Sequence, residues 1–242
     1  METILSKNQI ASENGLIKID DSYYFNGVVE NNNVKFADMM WKILAINPDG
    51  SIKLIYAGDK LENNYNDKSN EEKNVSFENS TLKQYLDDFY NNKLNNYDTL
   101  IKDDNYCNDT SSTDTYYRVY YGAYNRNFND SNPTIKCPES NKEYGGNKNY
   151  KIALITLDEA VVAGLSLDNN ENNFLVDGNI YYTMSPIQFN YRSYVAVIDN
   201  YGKIDADIVS ERREIRPVIT LVDSLEVDGD GTLANPYLIK NN

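Results

Sequence analysis

Two residue types set the chemistry open to this chain. There is no histidine among its 242 residues. That removes Ser-His-Asp and Cys-His nucleophilic catalysis, and every zinc site that depends on imidazole. There are two cysteines, Cys107 and Cys137, too few for a four-thiolate metal site. The 37 acidic residues leave carboxylate chemistry open in principle, but a linear sequence does not say which of them meet. Asp228 and Asp230, set in D-G-D-G-T, look like half of a calcium loop. The distal Glu of such a loop is absent, and an Asp-Gly turn accounts for the residues. No metal, cofactor or catalytic residue is expected.

The cysteines bracket CNDTSSTDTYYRVYYGAYNRNFNDSNPTIKC, a polar segment with five tyrosines and two arginines. Residues 102–149 around it have almost no hydrophobic period, and a stretch this long needs something to tie it down. A Cys107–Cys137 disulfide would do so, stabilising by roughly 3 to 4 kcal/mol in the chain-entropy model. It would also place the protein in an oxidising, extracytoplasmic compartment. The alternative is two unpaired thiols in a cytosolic protein.

The net charge of -14 opposes binding to phosphate backbones and to anionic membrane surfaces, so no nucleic-acid partner is expected. No apolar run approaches the roughly 20 residues that span a bilayer, so no membrane insertion by this segment is expected. The 21 tyrosines, against 7 Phe and 1 Trp, suit core rims and contact surfaces, because tyrosine joins an apolar body to a polar tip.

The elements that must position these residues read as one α+β domain: a twisted, mostly antiparallel sheet, two helices and long loops. Asn26-Gly27, between Tyr23-Tyr24-Phe25 and Val28-Val29, predicts a tight hairpin turn. Trp41–Ile46 and Ser51–Ala57, joined by N-P-D-G, predict a second hairpin, apolar on both faces and therefore covered. Residues 59–76 read as loop. Leu82, Tyr85, Leu86 and Phe89 recur at helical spacing behind Asn79 or Ser80 as cap. Ile152–Ile155 reads as a buried strand, and Thr156–Glu159 as a capping box that opens a short helix closed by Gly164. Short strands follow at Asn179–Met184, Tyr194–Ile198, Lys203–Val209 and Arg216–Val222, the first ending in a turn set by Pro186.

Several of these stretches together resemble a group of uncharacterised surface domains of Gram-positive bacteria. They are Tyr181–Pro186 (YYTMSP), Arg216–Leu221 (RPVITL), Gly229–Tyr237 (GDGTLANPY), Tyr23–Phe36, Trp41–Tyr56, Tyr120–Arg126, Pro133–Pro138 and Leu154–Gly164. Where the group usually has Gly before a Val-Arg-Pro strand, this chain has Glu214-Ile215-Arg216-Pro217. The resemblance implies a C-type-lectin-like fold, shared with formylglycine-generating enzymes, over residues 20–242, with 102–149 as a disulfide-tied insertion. Residues 1–19 become a helix-prone lead-in following a removed anchor or signal. It implies an extracellular location at the bacterial cell surface and a recognition or adhesion role. The partner is then a glycan or protein on a host or neighbouring cell, or, in a pilin-like structural alternative, sister surface subunits. The enzyme relatives use a close, late pair of thiols with copper, which the placement of Cys107 and Cys137 does not match.

Two loops carry the ligand-contact candidates, Tyr116–Arg126 and Gln188–Tyr201. In the first they are Tyr121, Tyr124 and Arg126; in the second, Tyr191, Arg192 and Tyr194. Tyrosine offers rigid contact area and arginine fixed donors at moderate entropy cost. At least two of Tyr121, Tyr124, Tyr191 and Tyr194 are then expected at the surface. The alternative is that they pack their loops onto the domain.

Overall fold

The computed structural model describes residues 2–8, 14–116, 118–140, 142–223 and 225–239. A short helix, α1 (Glu2–Lys7), seats Ile4 in the core, and the Asn8 amide donates to Ile4 O and the Tyr237 hydroxyl. Residues 9–13 of the helix-prone lead-in lie outside the described residues. Strand β1 (Gly15–Ile19) turns back into β2 (Ser22–Asn26). Asp20, at φ 52°, makes that turn. Asn26-Gly27 is therefore not the hairpin turn its composition predicts. Gly27 does have positive φ, but its N–H and C=O bond Ala163 and Phe174 and lead the chain away from the sheet.

Strand β3 (Asn33–Phe36), β4 (Met39–Ile46) and β5 (Ile52–Tyr56) follow. The β4–β5 hairpin is the predicted one: Gly50 takes φ 87°, and Asp49 accepts from the Ser51 N–H and hydroxyl. β4 organises the sheet because β3 pairs with its first half, β2 with its end, and β5 with its other edge. β5 is buried throughout, Lys53 included. Trp41 packs edge-to-face on Tyr56 and donates its indole N–H to Phe36 O, so the largest side chain here is both buried and satisfied.

The 59–76 stretch is more ordered than a loop. It holds β6 (Glu62–Asn64) and a single 3-10 turn at Glu72–Val75. α2 (Thr81–Phe89) starts at Ser80, whose hydroxyl accepts the Lys83 N–H, and buries Leu82 and Leu86. The aperiodic 102–149 region is built from short pieces: β7 (Asp104–Asn108), β8 (Ser112–Asp114), β9 (Val119–Tyr121), α3 (Gly122–Tyr124) and β10 (Gly146–Tyr150). Cys107 sits on β7 rather than in a loop. Its sulfur is bonded to Cys137, with the two Cα atoms 5.4 Å apart.

Ile152–Ile155 is fully buried, but it touches the strands through an Ala153–Val218 bridge and a Met184 N–H to Ile155 O bond rather than a ladder, so it is not the strand its apolar run suggests. α4 (Leu157–Val162) carries the predicted capping box, with Thr156 and Glu159 bonding each other's backbone N–H. β11 (Tyr181–Phe189) runs straight through Pro186, where the ladder with β12 (Ser193–Ile198) shifts register. Pro186 thus marks a bulge, not the turn expected of it. β13 (Ile204–Ile208), β14 (Arg212–Glu214), β15 (Val218–Leu221), β16 (Val227–Asp228) and β17 (Tyr237–Ile239) complete the chain. Between β16 and β17, D-G-D-G-T is a turn in which Asp230 accepts the Thr232 N–H and hydroxyl.

The molecule is α+β and mostly strand. The single expected sheet is, among the described residues, two large ones and a β7–β10 ribbon. The eight-stranded sheet runs β1-β2-β4-β3-β17-β16, with β5 and β15 on the other side of β4; the seven-stranded sheet holds β13-β12-β11-β14-β6, with β9 joined to β11 and β8 to β9. The break falls at Ile215-Arg216-Pro217, between β14 and β15. Pro217 has no N–H for a ladder, and the buried Arg216 guanidinium donates to Tyr56 O and Leu175 O across the seam. Early and late strands pair within the eight-stranded sheet: β17 lies parallel to β3, and β15 antiparallel to β5.

Candidate functional site

Strand alternation decides where the first group of tyrosines points. In β9, Val119 and Tyr121 share one face and Tyr120 takes the other. Val119 is inward, so Tyr121 is too. It is fully buried, its hydroxyl 3.4 Å from Glu72 O and 3.3 Å from the Tyr144 hydroxyl. Tyr121 is thus removed from the surface candidates, and the alternation in Val-Tyr-Tyr was the signal for it.

Tyr120 points the other way, and with it starts a stack. Tyr124 lies 4.8 Å from Tyr120 between ring centroids, and Phe128 lies 5.2 Å from Tyr124, nearly parallel to it. The three recur at i, i+4 and i+8 through α3 and the widened turn Asn125–Asn129. All three are half-buried, and the exposed Arg118 donates to the Tyr120 hydroxyl at 3.0 Å. Tyr120 and Arg118 fall inside the Tyr116–Arg126 loop that the sequence points to, and Phe128 lies just beyond it, although the four-residue spacing is legible.

Arg126 is held in a cluster of carboxylates. Its Nε and Nη2 fork onto the Asp158 carboxylate at 2.9 and 2.7 Å, and Nη2 also lies 2.8 Å from Asp109. Burial opposes the guanidinium charge, but Asp158 and Asp109 outweigh it and hold its pKa above the ordinary value. Asp158, in the first turn of α4, also accepts from the Asn127 amide and the Thr134 N–H. Arg126 therefore clamps the disulfide-tied segment to α4. Breaking such a buried pair costs several kcal/mol, because a charge is left unpaired.

The second loop is the β11–β12 turn. Tyr191 is 78% exposed and holds φ 58°, a left-handed conformation closed by Asn190 N–H to Arg192 O. Arg192 is exposed, and its Nη1 donates to Oγ of the buried Ser69. Tyr194 is half-buried on β12. Of the four tyrosines expected at the surface, one is exposed, two are half-buried and one is in the core.

β9 docks on β11, and this brings the two loops together. Gln188 is paired with Tyr120 on one side and with Tyr194 on the other, and Tyr194 with Ile208. Directly paired residues share a face. Tyr120, Gln188, Tyr194 and Ile208 form one half-buried row across four strands, with Tyr124 and Phe128 stacked at its end and the Tyr191 turn beside it. The row offers aromatic faces, a carboxamide and the Arg118 guanidinium, which suits stacking with flanking hydrogen bonds.

No family model matches the chain, nor does any curated protein or solved structure.

Proposed function

We propose that this chain is a non-enzymatic extracellular recognition domain of a bacterial surface protein. We propose further that its fold is C-type-lectin-like and that it contacts a glycan or protein on another cell. The observation that carries the reading is the Tyr120–Gln188–Tyr194 row. Two sequence-distant, tyrosine-rich loops are registered onto one rigid sheet face, where preorganised aromatic side chains lose little entropy on binding. The disulfide supports the extracytoplasmic part of the reading, and no described helix is long and apolar enough to cross a membrane.

The structural-subunit alternative has less support. Outward N–H groups on three edge strands are taken by the side chain of the preceding residue: Asn63 for Asn64, Asp104 for Asn105, and Asp205 and Asp207 for Ala206 and Ile208. Edges closed in this way are poor templates for strand addition by a sister chain.

The test is a binding screen of the oxidised domain against arrayed glycans and cell-surface proteins, repeated with Tyr120→Ala and Tyr194→Ala. A hit weakened about tenfold by each change, the scale of one lost aromatic contact, supports the reading. Hits indifferent to both changes, or binding only to itself, would overturn it.

A further inference from the structure

A cavity of about 460 Å³ opens between the disulfide and the start of α4. That is within the roughly 300–1,000 Å³ range in which proteins hold small ligands. Its wall is unusual for the charge it contains. Lys53, rising from the buried strand β5, lies 2.8 Å from Glu159 and 4.9 Å from the Tyr106 ring centroid. Burial opposes this ammonium, but Glu159, Tyr106 and Asp104 together hold its pKa above the ordinary lysine value. Arg126 is committed to Asp158 and Asp109, and Lys102 to Asp49 at 2.6 Å. Asp104 accepts the Thr220 hydroxyl at 2.6 Å and the Asn105 N–H at 2.9 Å.

The charges at the floor are thus spent on one another, while Lys136, at the rim, is 85% exposed and 3.9 Å from Asp20 outside the cavity. A charged ligand at the floor would find no free countercharge there and would lose its hydration. What the wall still offers is dipoles. An ammonium has three donors, and among the described residues Glu159 is the one side chain that accepts from Lys53. Ser22 and Tyr24 line the same cavity and are more than nine-tenths buried. Tyr24 keeps its proton, since burial and then Glu159 push its pKa up to about 12. At the mouth stand the exposed Asn105 and Asn147. Mixed donors and acceptors at fixed positions match groups that both donate and accept, which is what hydroxyls do.

We propose that this cavity is a second binding site, distinct from the tyrosine row, for a neutral polyhydroxylated ligand such as a sugar residue. The Lys53 ammonium and the Tyr24 hydroxyl hold ligand hydroxyls at the floor, and Asn105 and Asn147 hold others at the rim. The site does not depend on the recognition role of the tyrosine row.

The test is saturation-transfer NMR and titration calorimetry on the whole oxidised domain, with glucose, N-acetylglucosamine and maltose as neutral probes and glucuronate and glucosamine as charged ones. At least one neutral probe should bind more tightly than both charged ones. Tyr24→Phe and the rim pair Asn105→Ala with Asn147→Ala should each weaken it about tenfold, and Tyr120→Ala should leave it unchanged. Tyr24→Phe removes one oxygen and the rim residues are exposed, so neither change threatens folding. Failure of all three neutral probes, preference for a charged one, or indifference to both cavity changes would overturn the proposal. Loss of binding with Tyr120→Ala instead would place these sugars on the tyrosine row and overturn it equally.

Discussion

At the scale of single residues, the most consequential carboxyl is Glu214, at the end of β14. Burial, and then the neighbouring Asp177 carboxylate, push its pKa up to about 7, while Arg216 and Lys60 pull the other way. A carboxyl that holds its proton more tightly folded than unfolded stabilises the fold at low pH. That contribution is full below the ordinary glutamate value and is lost as pH rises through about 7. Urea melts at pH 5 and pH 7.5 should therefore differ, with the lower pH favouring the fold through this group. Glu214→Gln should reduce that difference, and an unchanged pH profile would contradict the assignment. Nothing in the sequence revealed Glu214, because its partner Asp177 lies far away along the chain. By contrast, the inward turn of Tyr121 was legible from Val119 two residues earlier. The opposite fates of Tyr124 and Arg126 were not: Arg126 needs Asp158 on a separate helix, and pairing of that kind leaves no local pattern.

At the scale of elements, legibility followed local determination. The β4–β5 hairpin, α2 and α4 are fixed by residues within one turn of the chain: Asp49-Gly50, the Ser80 cap and the Thr156–Glu159 box. Asn26-Gly27 and Pro186 misled, because a neighbouring element decided their role. β1 claimed β2 as its partner, and β12 continued the ladder past the proline with a register shift. The 102–149 segment carries too little periodicity to reveal its short strands, which are held by the disulfide, the β7–β10 pairing and the Arg126 clamp. Reduction with alkylation should cost roughly 3 kcal/mol of stability on loop entropy. Hydrogen exchange should rise first in residues 108–140 and leave β4 and β5 protected. Uniform loosening of the whole chain would show that the segment is not a separately tied unit.

At the scale of the molecule, the two-sheet arrangement was hidden because it turns on one buried seam. Arg216-Pro217 carries the chain from β14 to β15, and an arginine in a linear sequence does not announce that its donors will cap Tyr56 and Leu175 carbonyls. The blocked edges bear on association. The domain should remain monomeric in sedimentation at micromolar concentration, whereas Asp205→Ala with Asp207→Ala should raise self-association by freeing the outward N–H groups of β13. A wild-type chain that already assembles through this edge would favour the subunit alternative. On the proposed recognition role, the β9–β11–β12 row with its aromatic stack is the face that meets the partner. Hydroxyl-radical footprinting of the domain bound to intact bacterial or host cells reads this without knowing the ligand. Tyr124, Tyr191 and Tyr194 should become protected on binding, while Tyr201, 48% exposed on the β12–β13 turn, stays as reactive as in the free protein. Protection at Tyr201 with the row unchanged, or no protection at any of these tyrosines in cell-bound domain, would contradict it.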